Sequence, residues 1–464
     1  MSRFKYLVVA LLALFLVVPF AANAQRANVA TDGVGDLLLY PFFYADTATT
    51  TKISVTNTSA KYGVVAKVVL RSSLCSEELR DFIIYLSPND VWTGTIQVEG
   101  GKVVLKSTDE SVVFNGKSAS DSNPFVTSLR LPKNPADTNQ FGYLEVITLA
   151  YVNFGYKSSN GFTFKALMNL NGFSNVHEFM YYLYQPTTPG CYQTALSYNG
   201  ACLGLDNDPF TGIICPADSS YGECAYVPVS LEDGVLFGFA EVNIPGAYAA
   251  YRALAVKDFV RLGDAAWQGK TYKILASLDT PLNLAGDVNE LDRALLKMQV
   301  YFPYYDPDDA DGCGSFAMLF FPTMQSKYGY NFLAGAKTCL PTKNSSLIWQ
   351  AIWKQVLTGS VGIKVFSYDN SEHGVACELS PCVLKPYELY TIGPVEDIFD
   401  PFAWSEGWMK LCMSNVGYNG LIPGTNTTLE FIGLPVVPFA GHWNNNGVTF
   451  IDPPYMKSDI YNIQ

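Results

Sequence analysis

The chain has 464 residues and a net charge of −12, with 30 lysine and arginine residues against 42 aspartate and glutamate residues. This acidic balance argues against nucleic-acid binding, because a nucleic-acid binder must neutralise phosphates with basic side chains. The length suffices for two or three domains, and an aromatic content of 14% with frequent glycine and proline is typical of β-rich extracellular proteins.

The first residues predict a signal peptide. A positively charged start precedes a charge-free apolar run at 7–20, and Ala-Asn-Ala at 22–24 supplies the small-x-small pattern of a cleavage site. A membrane anchor is the alternative, but the run is short for a bilayer span and the cleavage pattern follows it directly. We therefore predict a signal peptide at 1–24 and an exported protein, at the cell surface, outside the cell or in the periplasm. No transmembrane anchor is expected in the mature chain.

The ten cysteines all follow this segment, and their even number predicts disulfide pairing in an oxidising compartment. No C-x-x-C pair occurs, so zinc ligation of that type is not indicated. Four cysteines fall in the stretch 191–224, which predicts a disulfide-stapled insertion whose pairing the sequence leaves open. Cys313 and Cys339 are candidate partners of each other. The predicted disulfide residues are Cys75, Cys191, Cys202, Cys215, Cys224, Cys313, Cys339, Cys377, Cys382 and Cys412.

Alternation of apolar and polar residues, rich in β-branched and aromatic side chains, predicts strands along most of the chain. Two strands are expected within 51–72, joined by a turn at 57–59. Two more are expected within 79–98, separated at 87–89, where Pro88 cannot donate to a ladder and Asn89 favours a tight turn. Further short strands are expected at 102–107, 111–114 and 125–130. The close spacing predicts a mainly β fold, with antiparallel β-sandwich domains and a few short helices.

Three stretches predict helices. The stretch 174–185 has Ser174 as a candidate N-cap and an acidic first turn, and 286–298 and 344–359 carry apolar stripes at helical spacing. The stretch 245–259 is compatible with either helix or strand.

These elements predict three regions after the signal peptide. They are an N-terminal β-sandwich at 25–135, a second β-rich domain at 136–343 that contains the cysteine-rich insertion, and a C-terminal β-rich region at 344–464 that opens with a helix.

A short motif occurs twice, as FGYLEV at 141–146 and FGFAEV at 237–242. Each copy places a glutamate at its fifth position, Glu145 and Glu241. Two facing carboxylates would suit a glycoside hydrolase, which uses one as acid and the other as base or nucleophile. The favoured interpretation is that both glutamates occupy the solvent face of equivalent strands, since half of a strand's positions are expected to be polar.

The most acidic loop reads YYDPDDADGCG at 304–314 and holds Asp306, Asp308, Asp309 and Asp311. Calcium loops of the D-x-D-x-D-G type need oxygen ligands at positions 1, 3 and 5 and a glutamate at position 12. With Gly312 at position 6, positions 1 and 12 carry Pro307 and Met318, so this frame fails. The favoured interpretation is an ordinary charged turn, and the alternative is a relaxed structural calcium site.

The remaining candidates for binding are aromatic residues and histidines. Trp404, Trp408 and the pair His442-Trp443 could stack on sugars, although packing is favoured because tryptophan is usually buried. The three histidines, His177, His373 and His442, share no spacing that indicates a metal site.

The segments GDLLLYPFFYAD (35–46), TKISVTNTS (51–59) and DFIIYLSPNDVWTG (81–94) resemble a module of exported, β-rich bacterial surface-type proteins with no settled activity. The later segment FGFAEVNIPGAYAAYRALAVKDF (237–259) resembles it as well. The resemblance implies an exported, bacterial and β-rich protein and carries over no catalytic residue.

No G-x-S-x-G, H-E-x-x-H or P-loop motif occurs. We therefore expect a non-enzymatic structural or adhesion protein of the cell surface or extracellular space, which associates with itself or with a cell-surface polymer. No cofactor is expected, apart from the alternative of a structural calcium ion. The alternative function is a secreted glycan-active hydrolase that uses Glu145, Glu241 or the loop aspartates.

Overall fold

The computed structural model describes the chain in separate stretches. They are residues 27–73, 76–130, 141–155, 163–170, 172–183, 196–198, 201–203, 213–214, 225–226, 234–245, 247–257, 291–305, 314–324, 326–331, 336–341, 348–349, 351–352, 364–369, 374–376, 389–392, 406–413, 416–421, 428–444, 447–451, 455–457 and 461–463.

Residues up to 257 form nineteen named strands and two helices in this described part. The strands are β1 (Asn28–Val29), β2 (Val34–Gly35), β3 (Leu37–Tyr44), β4 (Thr50–Asn57), β5 (Tyr62–Ser72), β6 (Glu78–Leu86), β7 (Val91–Glu99), β8 (Lys102–Ser107), β9 (Val113–Phe114), β10 (Lys117–Ser118), β11 (Phe125–Ser128), β12 (Phe141–Asn153), β13 (Leu196–Tyr198), β14 (Ala201–Leu203), β15 (Ile213–Ile214), β16 (Ala225–Tyr226), β17 (Leu236–Ile244), β18 (Ala247–Arg252) and β19 (Leu254–Lys257). The helices are α1 (Phe164–Leu170) and α2 (Val176–Leu183).

Most of these strands belong to two antiparallel sheets. Sheet 1 has the order β1-β19-β3-β12-β5-β6, and sheet 2 has the order β11-β8-β7-β4-β17-β18, with β2 pairing with the start of β17. The pairs β9–β10, β13–β14 and β15–β16 are separate two-stranded ladders. The predicted mainly β, antiparallel fold with few short helices is confirmed.

The two sheets pack face to face around a continuous apolar core. The hydroxyl of Tyr40 on β3 crosses from sheet 1 and donates to the carbonyl of Ser54 on β4, at 2.7 Å. A Cβ atom added to Gly238 on β17 would lie 2.5 Å from the same hydroxyl, so glycine permits this close approach. The rings of Phe82 on β6 and Trp92 on β7 meet across the sandwich at 5.6 Å. Burial of these large rings, together with the aliphatic residues around them, stabilises the sandwich.

The predicted turns explain how successive strands reverse. β4 and β5 are joined at 58–61, and β6 and β7 at 87–90, close to the predicted turns at 57–59 and 87–89. Asn89 adopts a positive φ of 57°, the left-handed conformation that asparagine tolerates. The stretch 245–259, compatible with helix or strand by sequence, forms β18 and β19 where it is described.

Residues after 290 form further antiparallel sheets. The strands are β20 (Leu296–Lys297), β21 (Gln299–Tyr305), β22 (Gly314–Phe320), β23 (Ser326–Asn331), β24 (Ala336–Pro341), β25 (Lys364–Asp369), β26 (Gly374–Ala376), β27 (Leu389–Ile392), β28 (Glu406–Cys412), β29 (Gly417–Leu421), β30 (Thr428–Ile432), β31 (Leu434–Pro435), β32 (Val437–Asn444), β33 (Gly447–Ile451), β34 (Tyr455–Lys457) and β35 (Tyr461–Ile463). Their main sheets have the orders β26-β25-β28-β21-β34, β27-β22-β32-β33 and β29-β30-β35.

The sheets extend across the predicted domain boundaries. β12, after the boundary at residue 135, lies between β3 and β5 of sheet 1, and β17 lies beside β4 in sheet 2. In the same way, β22 before the boundary at 343 pairs with β32 after it. A division at 135 would therefore remove central strands from both sheets of the sandwich.

Two predicted helices differ in detail from the structure. α2 lies within the predicted 174–185, but its cap is Asn175 rather than Ser174, because the Asn175 side chain accepts from the backbone N–H groups of His177 and Glu178 at 2.8 and 3.0 Å. The predicted helix 286–298 is helical at 291–295, where its described part begins. It gives way to strand β20, which pairs with β31.

The third predicted helix, at 344–359, is described in part. Ile348, Trp349 and Ile352 lie in helical residues and are buried, as their apolar stripe predicts. Among the described residues, no helix is both long enough and apolar enough to cross a membrane.

Candidate functional site

Glu145 lies at the centre of sheet 1 and is fully buried. Its neighbour Leu144 pairs with Tyr40, which faces the sandwich core, so Glu145 points to the opposite side of the sheet. There its Oε1 accepts from the Nε of Arg71 on β5 at 3.0 Å, and Arg71 also donates to the carbonyl of Ser76 at 3.1 Å. The interpretation of Glu145 as a solvent-facing residue is therefore wrong, because this side of sheet 1 is covered.

The covering on that side includes residues from the later sheets. Tyr143 lies on the same face of sheet 1 as Glu145. The centre of its ring is 4.5 Å from the ring centre of Phe320 on β22. The Tyr143 hydroxyl bonds to the side chain of Ser76, which also supplies a carbonyl to Arg71. Glu145 is thus part of a closed structural network that contains an ion pair and aromatic packing.

Glu241 lies on the other sheet and remains partly accessible. It follows Ala240, a fully buried residue of the core, so it points to the side of sheet 2 that faces away from sheet 1. Glu145 and Glu241 therefore lie on opposite outer sides of the sandwich. The structure does not bring the two predicted carboxylates together in one cleft.

The surroundings of Glu241 form the best candidate site in the described part of the chain. Lys52 on β4 is directly opposite Glu241 on β17, and Thr95 on β7 is opposite Lys52. In the next row, Phe239 is opposite Ser54, which is opposite Thr93. We name this surface the outer face. It is defined by Lys52, Ser54, Thr93, Thr95, Phe239 and Glu241, together with Tyr248 on β18.

All of these side chains except Tyr248 surround a shallow hollow of about 290 Å³ on the outer face. Lys52 is exposed and forms no ion pair with any described residue, although Glu241 is its cross-strand neighbour. The hollow therefore offers one ammonium group, one carboxylate and three hydroxyl groups, with the ring of Phe239 beside them. Such a mixture can bind a polar ligand that also has an apolar face.

Tyr248 extends the outer face beyond the hollow. Its side chain is 48% exposed, which is unusual for so large an aromatic residue. Partial burial, and then the neighbouring carboxylate of Glu241, raise the pKa of the Tyr248 hydroxyl above its ordinary value. The Tyr248 hydroxyl and the Glu241 carboxylate are thus coupled on the outer face.

A second polar cluster joins helix α2 to the sandwich. The Nε2 atom of His177 lies 2.7 Å from the Oδ2 atom of Asp90, and its Nδ1 lies 3.8 Å from a carboxylate oxygen of Glu110. Burial raises the pKa of the Asp90 carboxyl, but hydrogen bonds from His177 and Ser87 outweigh burial and leave it below its ordinary value. No spacing in the sequence indicated this cluster, because 87 residues separate Asp90 from His177.

The cluster contains serine, histidine and aspartate, but not in the order of a catalytic triad. In a triad the serine hydroxyl bonds to the histidine, which then takes its proton. Here the hydroxyls of Ser87 and Ser111 both donate to Asp90, at 3.0 and 3.4 Å. The arrangement therefore positions the helix and does not activate a serine.

Several predicted residues lie outside the described part. Asp306, Asp308, Asp309 and Asp311 are among them, so the calcium site remains a prediction. Cys202, Cys339 and Cys412 lie on β14, β24 and β28. The candidate partners of Cys202 and Cys339 lie outside the described residues, and the sequence named none for Cys412, so disulfide pairing also stays a prediction. No group of three or more metal-ligating side chains occurs among the residues that the structure describes.

Of the candidate sugar-stacking residues, some lie in the described part of the chain and others lie outside it. Trp408 on β28 packs against Tyr301 with ring centres 5.7 Å apart, which favours the packing interpretation for this residue. His442 and Trp443 lie on β32, and Trp404 and His373 lie outside the described residues.

Comparisons with protein-family models, curated proteins and solved structures give no significant match to the chain. The functional conclusion therefore depends on the residues and geometry alone.

Proposed function

We propose that the chain is a non-enzymatic protein exported to the cell surface or extracellular space, where it acts as a structural or adhesion subunit. In this proposal the outer face of sheet 2 binds a cell-surface polymer, specifically a glycan. The signal-peptide pattern, the cysteine count and the β-sandwich architecture support this role.

The observation that carries the proposal is the composition of the outer face. A glycan chain presents many hydroxyl groups and the apolar faces of its sugar rings. The outer face offers matching groups, since Lys52, Glu241 and the threonines can hydrogen-bond to hydroxyls. Phe239 in the hollow and Tyr248 beyond it can pack against ring faces. The outer face also spans β7, β4, β17 and β18, so an extended polymer can lie across several strands.

The hydrolase alternative receives no support from the described carboxylates. A glycoside hydrolase needs two carboxyl groups about 5 to 9.5 Å apart on either side of one bond. Glu145 is enclosed by Arg71 on sheet 1, whereas Glu241 is on the outer face of sheet 2. We therefore assign neither residue a catalytic role.

The outer face can be tested by binding of the purified mature protein to polysaccharide from the cell envelope. Tyr248→Ala and Lys52→Met should each weaken binding by about threefold to tenfold, since single aromatic or hydrogen-bonding contacts contribute about 0.5–1.5 kcal/mol. The measurement is a co-sedimentation isotherm on the insoluble polymer. Ser128→Ala, an exposed change on β11 at the far edge of sheet 2, is the control and should bind as the unaltered protein does.

Two results would contradict the proposal. Equal binding by all the variants would remove the outer face as the binding surface. A protein that is strictly monomeric and absent from native envelopes, as judged by electron microscopy and fractionation, would remove the structural version of the role.

A further inference from the structure

A second pocket lies at the opposite edge of the sandwich from Tyr248. It opens between β6, the last strand of sheet 1, and β11, the last strand of sheet 2, and the β9–β10 hairpin lies beside it. Its volume is about 180 Å³, and it shares no residue with the outer face. Its chemistry is therefore independent of the function proposed above.

One wall of this pocket is cationic. Arg80 on β6 lines it, and the Nε atom of Arg80 is buried without a hydrogen-bond partner among the described residues. Arg80 also forms no ion pair in that part of the chain. A buried guanidinium nitrogen that has lost water without gaining an acceptor is unfavourable, so the site has an uncompensated cationic group beside the pocket. Lys117 on β10 lies exposed at the rim, where its Nζ atom is 3.7 Å from a carboxylate oxygen of Glu178, so Arg80 carries the positive charge of this wall.

The opposite wall is apolar and aromatic. Phe125 packs between Phe82 of the core and Phe114 of the hairpin, with ring centres 5.3 and 6.3 Å away. Phe114 is 59% exposed, the largest value among the exposed large apolar side chains of the described residues. Val112 completes this wall. An apolar surface of this kind favours a ligand that can be removed from water along one side.

We propose that this edge pocket binds a carboxylate that carries an aromatic or branched apolar group. The carboxylate accepts from the guanidinium group of Arg80, a charge-assisted contact for which this planar group is well suited. The apolar group lies against Phe114 and Phe125. Such a carboxylate can belong to a free small acid or to the C-terminus of a peptide that ends in an apolar residue.

The test is titration of the full mature protein with phenylacetate, followed by NMR or calorimetry. Phenylacetate should bind at least tenfold more tightly than acetate, which lacks the ring, or phenylacetamide, which lacks the charge. Arg80→Met keeps the apolar stem and should weaken phenylacetate binding at least tenfold. Arg252→Met, an exposed arginine on β18 at the other edge of sheet 2, is the matched control and should leave binding unchanged.

The two sources of the carboxylate are separated by a second titration. The peptide Gly-Gly-Phe is compared with its C-terminal amide. Tighter binding of the acid than of phenylacetate indicates a peptide terminus, and weaker binding indicates a free small acid.

The proposal is overturned if Arg80→Met binds phenylacetate as tightly as the unaltered protein, or if phenylacetate and phenylacetamide bind equally. Absence of phenylacetate binding to the unaltered protein also overturns it. Should Arg80→Met fail to fold, Phe114→Ala replaces it, because its exposed side chain can be removed with little effect on folding. It should weaken phenylacetate while leaving the weak binding of acetate unchanged.

Discussion

Arg71 and Glu145 form an ion pair whose side chains are 1% and 0% exposed. Removing water from two charges is costly, so such a pair stabilises a fold only weakly compared with apolar residues in the same positions. Removing one partner is different, because it leaves a single charge buried without compensation.

Arg71→Met should therefore lower the free energy of unfolding by about 3–5 kcal/mol. The double variant Arg71→Met with Glu145→Leu should recover most of this loss, because no isolated charge remains. The measurement is urea unfolding of the two variants and of Glu99→Gln, a control that breaks the exposed pair of Glu99 with Lys106 and should cost less than about 1 kcal/mol. A double variant no more stable than Arg71→Met would contradict this account.

The burial of Glu145 could not be predicted from its own segment. Strand alternation correctly places Leu144 and Val146 on one face of the strand and Glu145 on the other. It does not show whether that other face is covered by further residues. That depends on Arg71, 74 residues earlier, and on Phe320, which packs on neighbouring Tyr143. By contrast, the exposure of Glu241 on a similar motif agrees with the polar-face interpretation.

At the scale of elements, α2 is too short to be stable alone and depends on its attachments. Isolated helices of eight residues are unstable in water. Asn175 caps its first turn, and His177 joins it to Asp90 on the β6–β7 turn. Glu178 accepts from the backbone of Ser118 on the β9–β10 hairpin at 3.3 Å. The sequence therefore predicts the helix itself from local residues. It does not predict where the helix packs, because the residues that hold it in place are distant in the chain.

A buried lysine, Lys297, lies where the helical residues 291–295 pass into β20. The Nζ of Lys297 donates to the carbonyls of Ala294 and Leu296 at 3.1 and 3.3 Å. Burial lowers the pKa of Lys297 to about 8. The predicted helix continued through Met298, but pairing of Leu296 and Lys297 with β31 ends it earlier, and a pairing partner over 130 residues away leaves no local signal.

The lowered pKa of Lys297 makes the free energy of unfolding depend on pH. Between the folded pKa of about 8 and the ordinary value of 10.5, the unfolded chain holds a proton that the folded chain has released, so stability rises with pH. The cost of burying the charge is fully present below about pH 8. Relative to Lys297→Met, the unaltered protein should therefore gain on the order of 3 kcal/mol between pH 7 and pH 10.5.

Urea unfolding of both proteins across this range measures the difference, and other titrating groups cancel in the comparison. A difference between the two proteins that stays constant with pH would show that Lys297 does not retain its lowered pKa in the fold.

At the scale of the whole molecule, aromatic contacts connect the sandwich to the later sheets. Tyr143 of sheet 1 meets Phe320 of β22, and Tyr251 of sheet 2 meets Phe439 of β32 with ring centres 6.1 Å apart. Phe320 and Phe439 belong to the same buried apolar cluster as the sandwich core. Destabilising the later sheets should therefore also loosen the sandwich.

Phe320→Ala should lower the free energy of unfolding by about 3–5 kcal/mol, the usual cost of removing a buried phenylalanine ring. It should also reduce hydrogen-exchange protection of β12, although β12 itself is unchanged. Phe114→Ala removes the same ring from an exposed position and should cost less than about 1 kcal/mol. Loss of protection confined to β22 would indicate that the two parts unfold independently.

The overall class of fold could be predicted because alternation and turn residues are local. The strands at 51–72 and 79–98 and their turns agree closely with β4 to β7. Domain boundaries are a different kind of property, since they depend on which strands pair. Nothing near residue 135 indicates that β12 will lie between β3 and β5.

The pairing of β4 with β17 has a consequence for biosynthesis. The Ser54 hydroxyl donates to the carbonyl of Phe239 across a separation of 185 residues. At ribosomal speeds of about 5–20 residues per second, β4 waits roughly 10–40 seconds for its neighbour. During that interval β4 has an unpaired edge at the place that β17 later occupies, and this edge can pair with other nascent chains. Sheet 2 therefore stays incomplete until residues near 257 have been synthesised.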